Sequence, residues 1–296
     1  MQLNRKPSWL KVKLPSHSNF FCVSSLLKKQ NLHTICVSAK CPNISECWAQ
    51  RTATFLILGD ICTRGCLFCA VKKGVPSPPS PDEPSRVAET ISLMGLRYVV
   101  ITSVTRDDLS DGGASIFIET IKSIRKKTPG VKVEILIPDF NGNEKALDTV
   151  IQARPAVLNH NLEVPETIYP LINRPKKNYF RSLEILKRSK EAGMITKSGL
   201  MIGLGEKEED IFQTLSDLRK ASCDLLTIGQ YLQATRTNAP VVKYYYPEEF
   251  EQLKKTALDL GFKEVESGPL VRSSYNAHNM YNLLNKILDK TGKCDI

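Results

Sequence analysis

The chain has 296 residues, of which 42% are hydrophobic and 24% are charged, and its formal net charge is +10. These proportions are typical of a globular protein that buries a full core. No apolar run approaches the ~18 residues of a membrane helix, and the first residues lack the apolar segment of a secretory signal. We therefore expect neither a membrane protein nor a secreted one.

The N-terminal segment, residues 1–52, is strongly basic. It carries eight Lys and Arg residues against a single acid, Glu46, a balance of +7. Such a surface can attract nucleic acid, membrane or an acidic protein, or can be a solvated face. Without an RNA-binding motif or interleaved basic and aromatic residues, we expect no nucleic acid and no membrane as partners. We interpret the first fifteen residues as a structured arm rather than a transit peptide, which favours a cytoplasmic location of the bacterial type; an organellar protein without its leader is the alternative.

Three cysteines of this segment, Cys36, Cys41 and Cys47, have the spacing C-x4-C-x5-C; we call them the first cysteine site. Nine cysteines in a chain without a secretory signal favour metal or redox use over disulfides. Iron–sulfur clusters are ordinarily held by four thiolates, so a triplet indicates an iron without a cysteine ligand. The isolated cysteines are interpreted as small buried hydrophobes or tail thiols: Cys22, Cys223 and Cys294.

A second triplet follows the first strand-like run. Cys62, Cys66 and Cys69, the second cysteine site, have the spacing C-x3-C-x2-C. A zinc site would need a fourth Cys or His nearby, and the next one along the chain is His160. An open coordination position is typical of catalytic metal sites, so the two triplets predict two clusters with different functions.

Beyond residue 52, short apolar runs alternate with amphipathic helical patterns, which predicts a parallel sheet covered by helices. The strand-like runs are 55–58, 97–102, 131–137, 156–158, 195–202 and 225–228. Six such units make a partial (β/α)6 barrel of the TIM type. We place it at residues 53–265, between an N-terminal extension (1–52) and a C-terminal extension (266–296), the two extensions carrying an auxiliary iron–sulfur cluster.

Polar residues come where the predicted strands end. In barrels of this type the chemistry lies at the C-terminal ends of the strands, and six strands agree in placing polar groups there. These groups are Cys62, Thr102 and Ser103, Asp139, Asn159 to Asn161, Gly203 to Glu206, and Gln230.

The second cysteine site, with Phe68 directly before its last cysteine, resembles the signature of the radical S-adenosylmethionine enzymes. The resemblance implies that Cys62, Cys66 and Cys69 hold a [4Fe–4S] cluster whose open iron is chelated by S-adenosylmethionine. One electron from the reduced cluster then cleaves the sulfonium and yields a 5′-deoxyadenosyl radical.

Longer motifs, from about residue 5 to residue 277, closely resemble the lipoyl synthase family. They surround both cysteine sites and the predicted strand ends. They are RKPSWL from Arg5, CPNISECW from Cys41, TATFLILG from Thr52, TRDDL from Thr105 with DGG from Asp111, NHNLE from Asn159, KSG from Lys197, MIGLGE from Met201, GQYL from Gly229 and GPLVRSSY from Gly268. One departure is Ala234, where the family usually has a proline after the glutamine; it puts no ligand in doubt.

This resemblance implies the reaction: two sulfur atoms are inserted at C6 and C8 of an octanoyl chain bound to a carrier-protein lysine. The first-site cluster is the sulfur donor and is consumed, and two S-adenosylmethionine molecules are cleaved for each lipoyl group. General acid–base catalysis moves protons, and these aliphatic C–H bonds offer no acidic proton, so a radical must take the hydrogen. The implied cofactors are two [4Fe–4S] clusters and S-adenosylmethionine.

In the family, a serine oxygen of the RSSY motif, which begins here at Arg272, is the fourth ligand of the donor cluster. We assign this role to Ser274, with Ser273 as the alternative. The implied catalytic groups are then Ser274 and the three thiols of the second cysteine site.

The implied contacts with S-adenosylmethionine are less direct. Asn161 and Glu163 match the family position that reaches the ribose hydroxyls. By strand order, Thr102 lies near the methionine end, and the backbone of Phe68 lies near the adenine. We interpret His160 as a packed structural histidine rather than a proton carrier.

The implied partners are an octanoylated carrier domain, an electron donor such as ferredoxin or flavodoxin, and an iron–sulfur carrier for cluster repair. The carrier would be the E2 subunit of a 2-oxoacid dehydrogenase or the glycine cleavage H protein. The basic N-terminal segment predicts docking of an acidic carrier, weakened by salt.

Two alternative functions remain at this point. A methylthiotransferase acting on RNA would also be a radical enzyme with an auxiliary cluster, but it needs an RNA-binding domain for which this length leaves no room. A zinc-stabilised nucleic-acid-binding protein would use the positive charge, and analysis for iron and sulfide against zinc separates it from the enzyme.

Overall fold

The computed structural model of the chain describes residues 6–12 and 14–291. Predictions on Arg5 and Cys294 therefore lie outside the described residues. The described strands are β1 His33–Thr34, β2 Thr54–Ile57, β3 Ile61–Cys62, β4 Lys72–Lys73, β5 Tyr98–Ser103, β6 Lys132–Leu136, β7 Val157–Asn159, β8 Thr196–Ile202, β9 Leu225–Gln230 and β10 Glu264–Gly268.

The helices alternate with these strands from β2 onward. The described α-helices are α1 Ser18–Lys29, α2 Ile35–Ser38, α3 Ile44–Ala49, α4 Glu83–Met94, α5 Ala114–Lys127, α6 Glu144–Gln152, α7 Lys177–Glu191, α8 Glu208–Lys220, α9 Pro247–Asp259 and α10 Ala277–Thr291. Short 3₁₀ helices lie at Ser8–Leu10, Phe140–Gly142 and Glu166–Ile172.

The main sheet has the order β1-β2-β5-β6-β7-β8-β9-β10, and β3 pairs with β4 separately. All neighbours from β2 to β10 are parallel, and β1 is antiparallel to β2 at the edge. The predicted α/β class with a parallel sheet is confirmed.

A seventh parallel strand, β10, was not predicted. Its sequence, from Glu264 to Gly268, alternates between partly exposed and buried residues, so it lacks the continuous apolar run of a strand covered on both faces. The strand crosses the boundary that we placed between residues 265 and 266.

Strand β5 shows how the two faces of the sheet are covered. Successive side chains of a strand point to opposite faces. Val99 and Ile101 belong to the hydrophobic cluster that contains α4 and α5, whereas Tyr98 and Val100 pack against Ala277 of α10. Helix α10 thus covers the inner face near the N-terminal ends of the strands and leaves their C-terminal ends free.

The N-terminal segment packs on this sheet. The Trp9 ring lies 4.9 Å from the Tyr246 ring, and the Phe20 ring of α1 lies 5.1 Å from the Trp48 ring of α3. These contacts agree with a structured arm. In the described part of the chain, no helix combines the length and the apolar character needed to cross a bilayer.

Candidate active site

The second cysteine site begins at Cys62, the last residue of β3, and continues on the loop between β3 and β4, beyond the C-terminal end of β2. Burial, together with the charges of Cys66 and Cys62, raises the pKa of Cys69 to about 12. Burial likewise raises the pKa of Cys66. Because these thiols influence one another, the fold has brought together the three cysteines that the spacing predicted.

Hydrogen bonds to backbone carbonyls fix the shape of this loop from two directions. On one side, Asn173 Nδ2 donates to the Gly65 carbonyl at 3.1 Å. On the other, Asn238 Nδ2 donates to the carbonyls of Leu67 at 3.0 Å and Cys69 at 2.9 Å. The loop is therefore shaped by its surroundings and not only by its cysteines.

The departure at Ala234 lies in the segment that carries Asn238. Gln233 Nε2 donates to the Asn238 carbonyl at 2.8 Å, and the Thr235 N–H donates to Asn238 Oδ1 at 3.1 Å. This turn holds the Asn238 side chain against the cysteine loop without a proline.

Arg174 connects the cysteine loop with Glu163. Its guanidinium carbon lies 5.6 Å from the centre of the Phe68 ring, and its charge opposes the rise in pKa that burial causes at the Cys66 thiol. Burial by itself lowers the pKa of Arg174, but the charges of Cys66 and Glu163 raise it above its usual value. Burial raises the pKa of Glu163, and the charge of Arg174 opposes that rise.

Asn161 and Glu163 follow β7 and lie side by side. Asn161 Nδ2 donates to Glu163 Oε1 at 3.3 Å. Glu163 has a φ of 74°, a left-handed conformation that costs about 1–3 kcal/mol in a residue other than glycine. Its N–H donates to the Gly199 carbonyl at 3.0 Å and its carbonyl accepts from the Met201 N–H at 2.7 Å, so β8 holds it in place.

Gly199 of the KSG motif makes room for Asn161. A Cβ at Gly199 would lie 2.7 Å from Asn161 Oδ1 and 3.0 Å from Thr227 Oγ1. A larger residue would push the Asn161 side chain away from its present position.

Thr102, the other predicted contact residue, is buried at the end of β5. Its hydroxyl donates to the Leu136 carbonyl at 3.0 Å, so its proton is used within the sheet. Phe68 is half-buried beneath Arg174. The contacts of these two residues with S-adenosylmethionine stay predictions.

The first cysteine site lies on α2, on α3 and on the turn between them. Burial raises the pKa of Cys36 to about 11 and that of Cys47 to about 12, and the charge of Cys41 raises both further. The buried indole N–H of Trp48 makes no hydrogen bond of ordinary geometry among the described residues, yet it lies close enough to Cys36 to lower the thiol pKa. A thiolate at Cys36 would therefore have a donor beside it.

The segment between β10 and α10 packs onto this site. Asn43 Nδ2 donates to the Leu270 carbonyl at 2.7 Å, and the Tyr275 hydroxyl donates to Glu46 Oε1 at 3.1 Å. Both ends of the chain thus contribute to the first cysteine site.

The two serines of the RSSY motif have different neighbours. Thr54 Oγ1 donates to Ser274 Oγ at 2.8 Å, and the Thr54 backbone lies close enough to Cys36 to lower the pKa of that thiol. Ser273 Oγ instead donates to Asn161 Oδ1 at 2.7 Å and accepts from Asn159 Nδ2 at 3.0 Å. Ser274 is therefore the hydroxyl on the side of the first cysteine site.

Gly229 of the GQYL motif lets the segment between β10 and α10 approach β9 closely. A Cβ at Gly229 would lie 2.1 Å from the Val271 carbonyl oxygen and 3.4 Å from Arg272 Nη1. Arg272 reaches the neighbourhood of Cys41, where its charge opposes the rise in thiol pKa that burial causes.

The residues of each site fit an iron–sulfur cluster. Across residues 6–12 and 14–291, no group of three or more His, Cys, Asp or Glu side chains is placed to hold a single metal ion. In a four-iron cluster each thiolate binds a different iron, so neighbouring thiols that do not converge on one point suit it. Arg174 Nε, a buried donor without a partner among the described residues, lies on the side chain that contacts Cys66.

Sequence reasoning missed Thr54, Arg174 and Asn238. Arg174 and Asn238 lie in loops that follow β7 and β9, so a survey of every charged or amide residue after a strand would have included them. Thr54 carries no such signal, because it lies at the start of a buried strand.

His160 is a packed structural histidine, as we expected. Its Nδ1 lies 2.9 Å from the Ile137 carbonyl oxygen and its Nε2 lies 2.9 Å from Ser182 Oγ. Burial lowers its pKa to about 4. The ring is therefore neutral at physiological pH and is used in these two contacts.

Comparison with solved structures shows the fold. The chain superposes on Streptococcus suis SuiB bound to S-adenosylmethionine with a TM-score of 0.54 and 12% identity, over 73% of this chain and 50% of that one. It superposes on methylornithine synthase (PylB) with a TM-score of 0.50 and 12% identity, over 85% of this chain and 82% of that one. The chain thus spans half the length of SuiB.

Comparison of sequences is more specific. The Radical SAM superfamily model matches residues 56–218. The lipoyl synthase of Chlorobaculum tepidum is 53% identical over 275 residues, 92% of this chain and 94% of that protein. The lipoyl synthase of Shouchella clausii is 51% identical over 281 residues, 94% of this chain and 91% of that protein. On these findings, together with the two cysteine sites, the chain belongs to the lipoyl synthase family of the radical SAM superfamily.

Proposed function

We propose that the chain inserts sulfur at C6 and C8 of an octanoyl chain carried on a protein lysine, with the second cysteine site as the radical site and the first as the sulfur source. The family implies a [4Fe–4S] cluster, S-adenosylmethionine and a lipoyl-carrier protein as substrate. The second cluster and the division of roles are our proposal. The observation that carries it is the position of Thr54, whose hydroxyl donates to Ser274 Oγ at 2.8 Å and whose backbone lies close enough to Cys36 to lower the pKa of that thiol.

At the second site, Cys62, Cys66 and Cys69 would hold the cluster that works with S-adenosylmethionine. When bound, the two supply a radical that removes hydrogen from an unactivated carbon. The positive charge of Arg174 favours the thiolate form of Cys66, and the negative charge of Glu163 favours the charged form of Arg174.

Asn161 and Glu163 present an amide and a carboxylate beside Arg174. Two neighbouring polar groups of this kind suit the hydroxyls of a ribose, which both donate and accept. The proposed order along the site is therefore thiols, then Arg174, then the ribose contacts.

At the first site, Cys36, Cys41, Cys47 and Ser274 would hold the donor cluster. An oxygen is a harder ligand than a thiolate and suits an iron that must be released when sulfur is given up. Thr54 donates to the Ser274 oxygen, so the Ser274 proton is free to be lost when that oxygen binds iron.

The partners are proposed on chemical grounds. A cavity of about 530 Å³ beside the first site is lined by Lys28, Lys40 and Lys72 and by one acid, Asp60, which pairs with Lys72 at 3.4 Å. Leu27 and Trp48 are part of its apolar wall, and the lysines outnumber the acid. This supports an acidic carrier, for which the E2 subunit of a 2-oxoacid dehydrogenase and the glycine cleavage H protein are the candidates. Ferredoxin or flavodoxin as reductant, and an iron–sulfur carrier for repair, follow from the need to reduce one cluster and replace the other.

The test is a single-turnover reaction under anaerobic conditions. The chain is reconstituted with ³⁴S-labelled sulfide and incubated with an octanoyl-lysine peptide, S-adenosylmethionine and dithionite. We expect mass spectrometry to detect a peptide that has gained two ³⁴S atoms. Unlabelled sulfur in the product, or protein whose spectra reveal one cluster only, would contradict the proposal.

A further inference from the structure

Buried hydrogen bonds join the interior of the barrel to Ser273. Glu134 Oε1 accepts from Lys197 Nζ at 3.1 Å and from Asn159 Nδ2 at 3.0 Å. The same Asn159 nitrogen donates to Ser273 Oγ at 3.0 Å, and Ser273 donates to Asn161 Oδ1 at 2.7 Å. Ser273 therefore stands between the charged pair on β6 and β8 and the residues that follow β7.

The inner end of these contacts is rigid. Glu134, Lys197 and Asn159 have no exposed surface, and a buried charge that loses its partner is strongly destabilising. The Tyr98 hydroxyl donates to the second Glu134 oxygen at 2.6 Å. The Glu134 carboxylate thus holds the Asn159 amide in position, and that amide in turn holds the Ser273 hydroxyl in position.

Toward the second cysteine site, the contacts continue from Asn161. Asn161 Nδ2 donates to Glu163 Oε1 at 3.3 Å, and Arg174 interacts electrostatically with both Glu163 and Cys66. A shift of the Asn161 amide would therefore reach the groups beside the cluster loop.

Toward the first cysteine site, Ser273 is connected through the backbone, because the next residue in the chain is Ser274. Ser274 Oγ accepts from Thr54 Oγ1, and the Thr54 backbone lies close enough to Cys36 to lower the pKa of that thiol. The position of the Ser273 hydroxyl therefore limits where the Ser274 oxygen can lie.

We propose that Ser273 is a positioning residue shared by both sites. Resting on the proposed function, it sets where the S-adenosylmethionine contacts of Asn161 and Glu163 lie relative to the Ser274 ligand of the donor cluster. Ser273 itself binds neither cluster, because its proton donates to Asn161 and its oxygen accepts from Asn159.

The test compares Ser273→Ala, Ser273→Thr and Ser274→Ala in reconstituted protein without reductant, so that nothing is cleaved. S-adenosylmethionine affinity is measured by equilibrium dialysis and by the change that it causes in the spectrum of the second-site cluster. Iron retained at the first site is measured separately. We expect Ser273→Ala to lower the affinity about tenfold, the effect of one lost hydrogen bond in a polar network, and also to lower first-site iron.

The companion variants separate positioning from ligation. Ser273→Thr keeps the hydroxyl and should restore both properties, whereas Ser274→Ala should lower first-site iron and leave the affinity unchanged. Unchanged affinity in Ser273→Ala would overturn the proposal, as would a Ser274→Ala variant that loses affinity to the same extent.

A second measurement serves if Ser273→Ala does not fold. In Cys41→Ala the first site cannot hold its cluster while the hydrogen bonds of Ser273 are intact, so we expect S-adenosylmethionine affinity equal to that of the wild type; a several-fold fall would show that the first-site cluster, and not the Ser273 hydroxyl, sets the affinity, and would refute the proposal. Neither readout requires sulfur insertion. Failure of wild-type protein to add sulfur would therefore remove the proposed function and leave the result on Ser273 distinct.

Discussion

The two cysteine sites are held in different ways. In the second, neighbouring loops hydrogen-bond to the backbone of the cysteine loop, through the Asn173 and Asn238 side chains and through Leu67, whose N–H donates to the Ile172 carbonyl and whose carbonyl accepts from the Ala239 N–H. In the first, hydrogen bonds of the Asn43, Thr54 and Tyr275 side chains join segments that lie 220 to 229 residues apart. The first site therefore lies at the contact between two distant segments, the N-terminal segment and the segment between β10 and α10; we call this contact the seam. The second site is a single loop held by its neighbours.

This difference matches the proposed division of roles. A loop held by several backbone contacts keeps its shape when one contact is lost, which suits a site that must survive every turnover. A seam held by a few side chains can open locally without unfolding the barrel, which suits a donor that is consumed and replaced. We expect the two sites to fail independently.

The largest expected effect is the loss of activity when one thiol is removed, and two variants, one at each site, are compared. Cys66→Ala should abolish both S-adenosylmethionine cleavage and sulfur insertion, because the radical chemistry starts at the second site. Cys41→Ala should abolish sulfur insertion but keep cleavage, with about half of the wild-type iron. Cleavage is followed as 5′-deoxyadenosine and insertion by peptide mass. The exposed Cys22→Ser is the control and should leave both unchanged; equal loss of cleavage in the two site variants would refute independence.

A smaller effect is expected when a substitution in β9 pushes the segment between β10 and α10 away from the sheet. In Gly229→Ala the new methyl meets the Val271 carbonyl oxygen, so we expect the free energy of unfolding to fall by about 1–3 kcal/mol. First-site iron should fall with it, whereas S-adenosylmethionine cleavage should persist. Denaturant titration and iron analysis of the same preparation measure both.

The paired position on β10 provides the matched control. Gly268 is the register partner of Gly229, and a Cβ there would meet only the Val271 side chain, at 3.3 Å. Because that side chain can adjust, Gly268→Ala should keep its first-site iron. If both variants lose iron equally, the backbone approach at Gly229 is not what seats the C-terminal segment.

The smallest expected effect is a loss of stability at low pH that is due to His160. His160 has a pKa of about 4 in the folded chain against a usual value of 6.5, so the unfolded chain takes up the proton first as pH falls. Stability from this residue is therefore present above pH 6.5 and is lost between pH 6.5 and 4, by about 2 kcal/mol at pH 5. His160→Gln should flatten the pH dependence of unfolding by that amount. Parallel curves for the variant and the wild type would show that another group is responsible.

The sequence predicted what depends on local spacing. Both cysteine triplets, the parallel sheet and the polar strand ends follow from residues close together in the chain. The choice between Ser273 and Ser274 could not be made this way, because the proposed preference for Ser274 depends on its hydrogen bond with Thr54, more than 200 residues away. Arg174 and β10 were missed for related reasons: the arginine acts through a cysteine on another loop, and the strand lacks a continuous apolar run.

The distance between Thr54 and Ser274 along the chain has a consequence for synthesis. A protein leaves the ribosome from its N-terminus, and the early part of a chain can begin to fold before the rest is made. Cys36, Cys41 and Cys47 are translated more than 200 residues before Ser274, their proposed serine partner. A nascent or prematurely terminated chain can therefore offer three thiols without the hydroxyl that would complete the proposed set. Maturation factors would meet the complete donor pocket only once translation has passed Ser274.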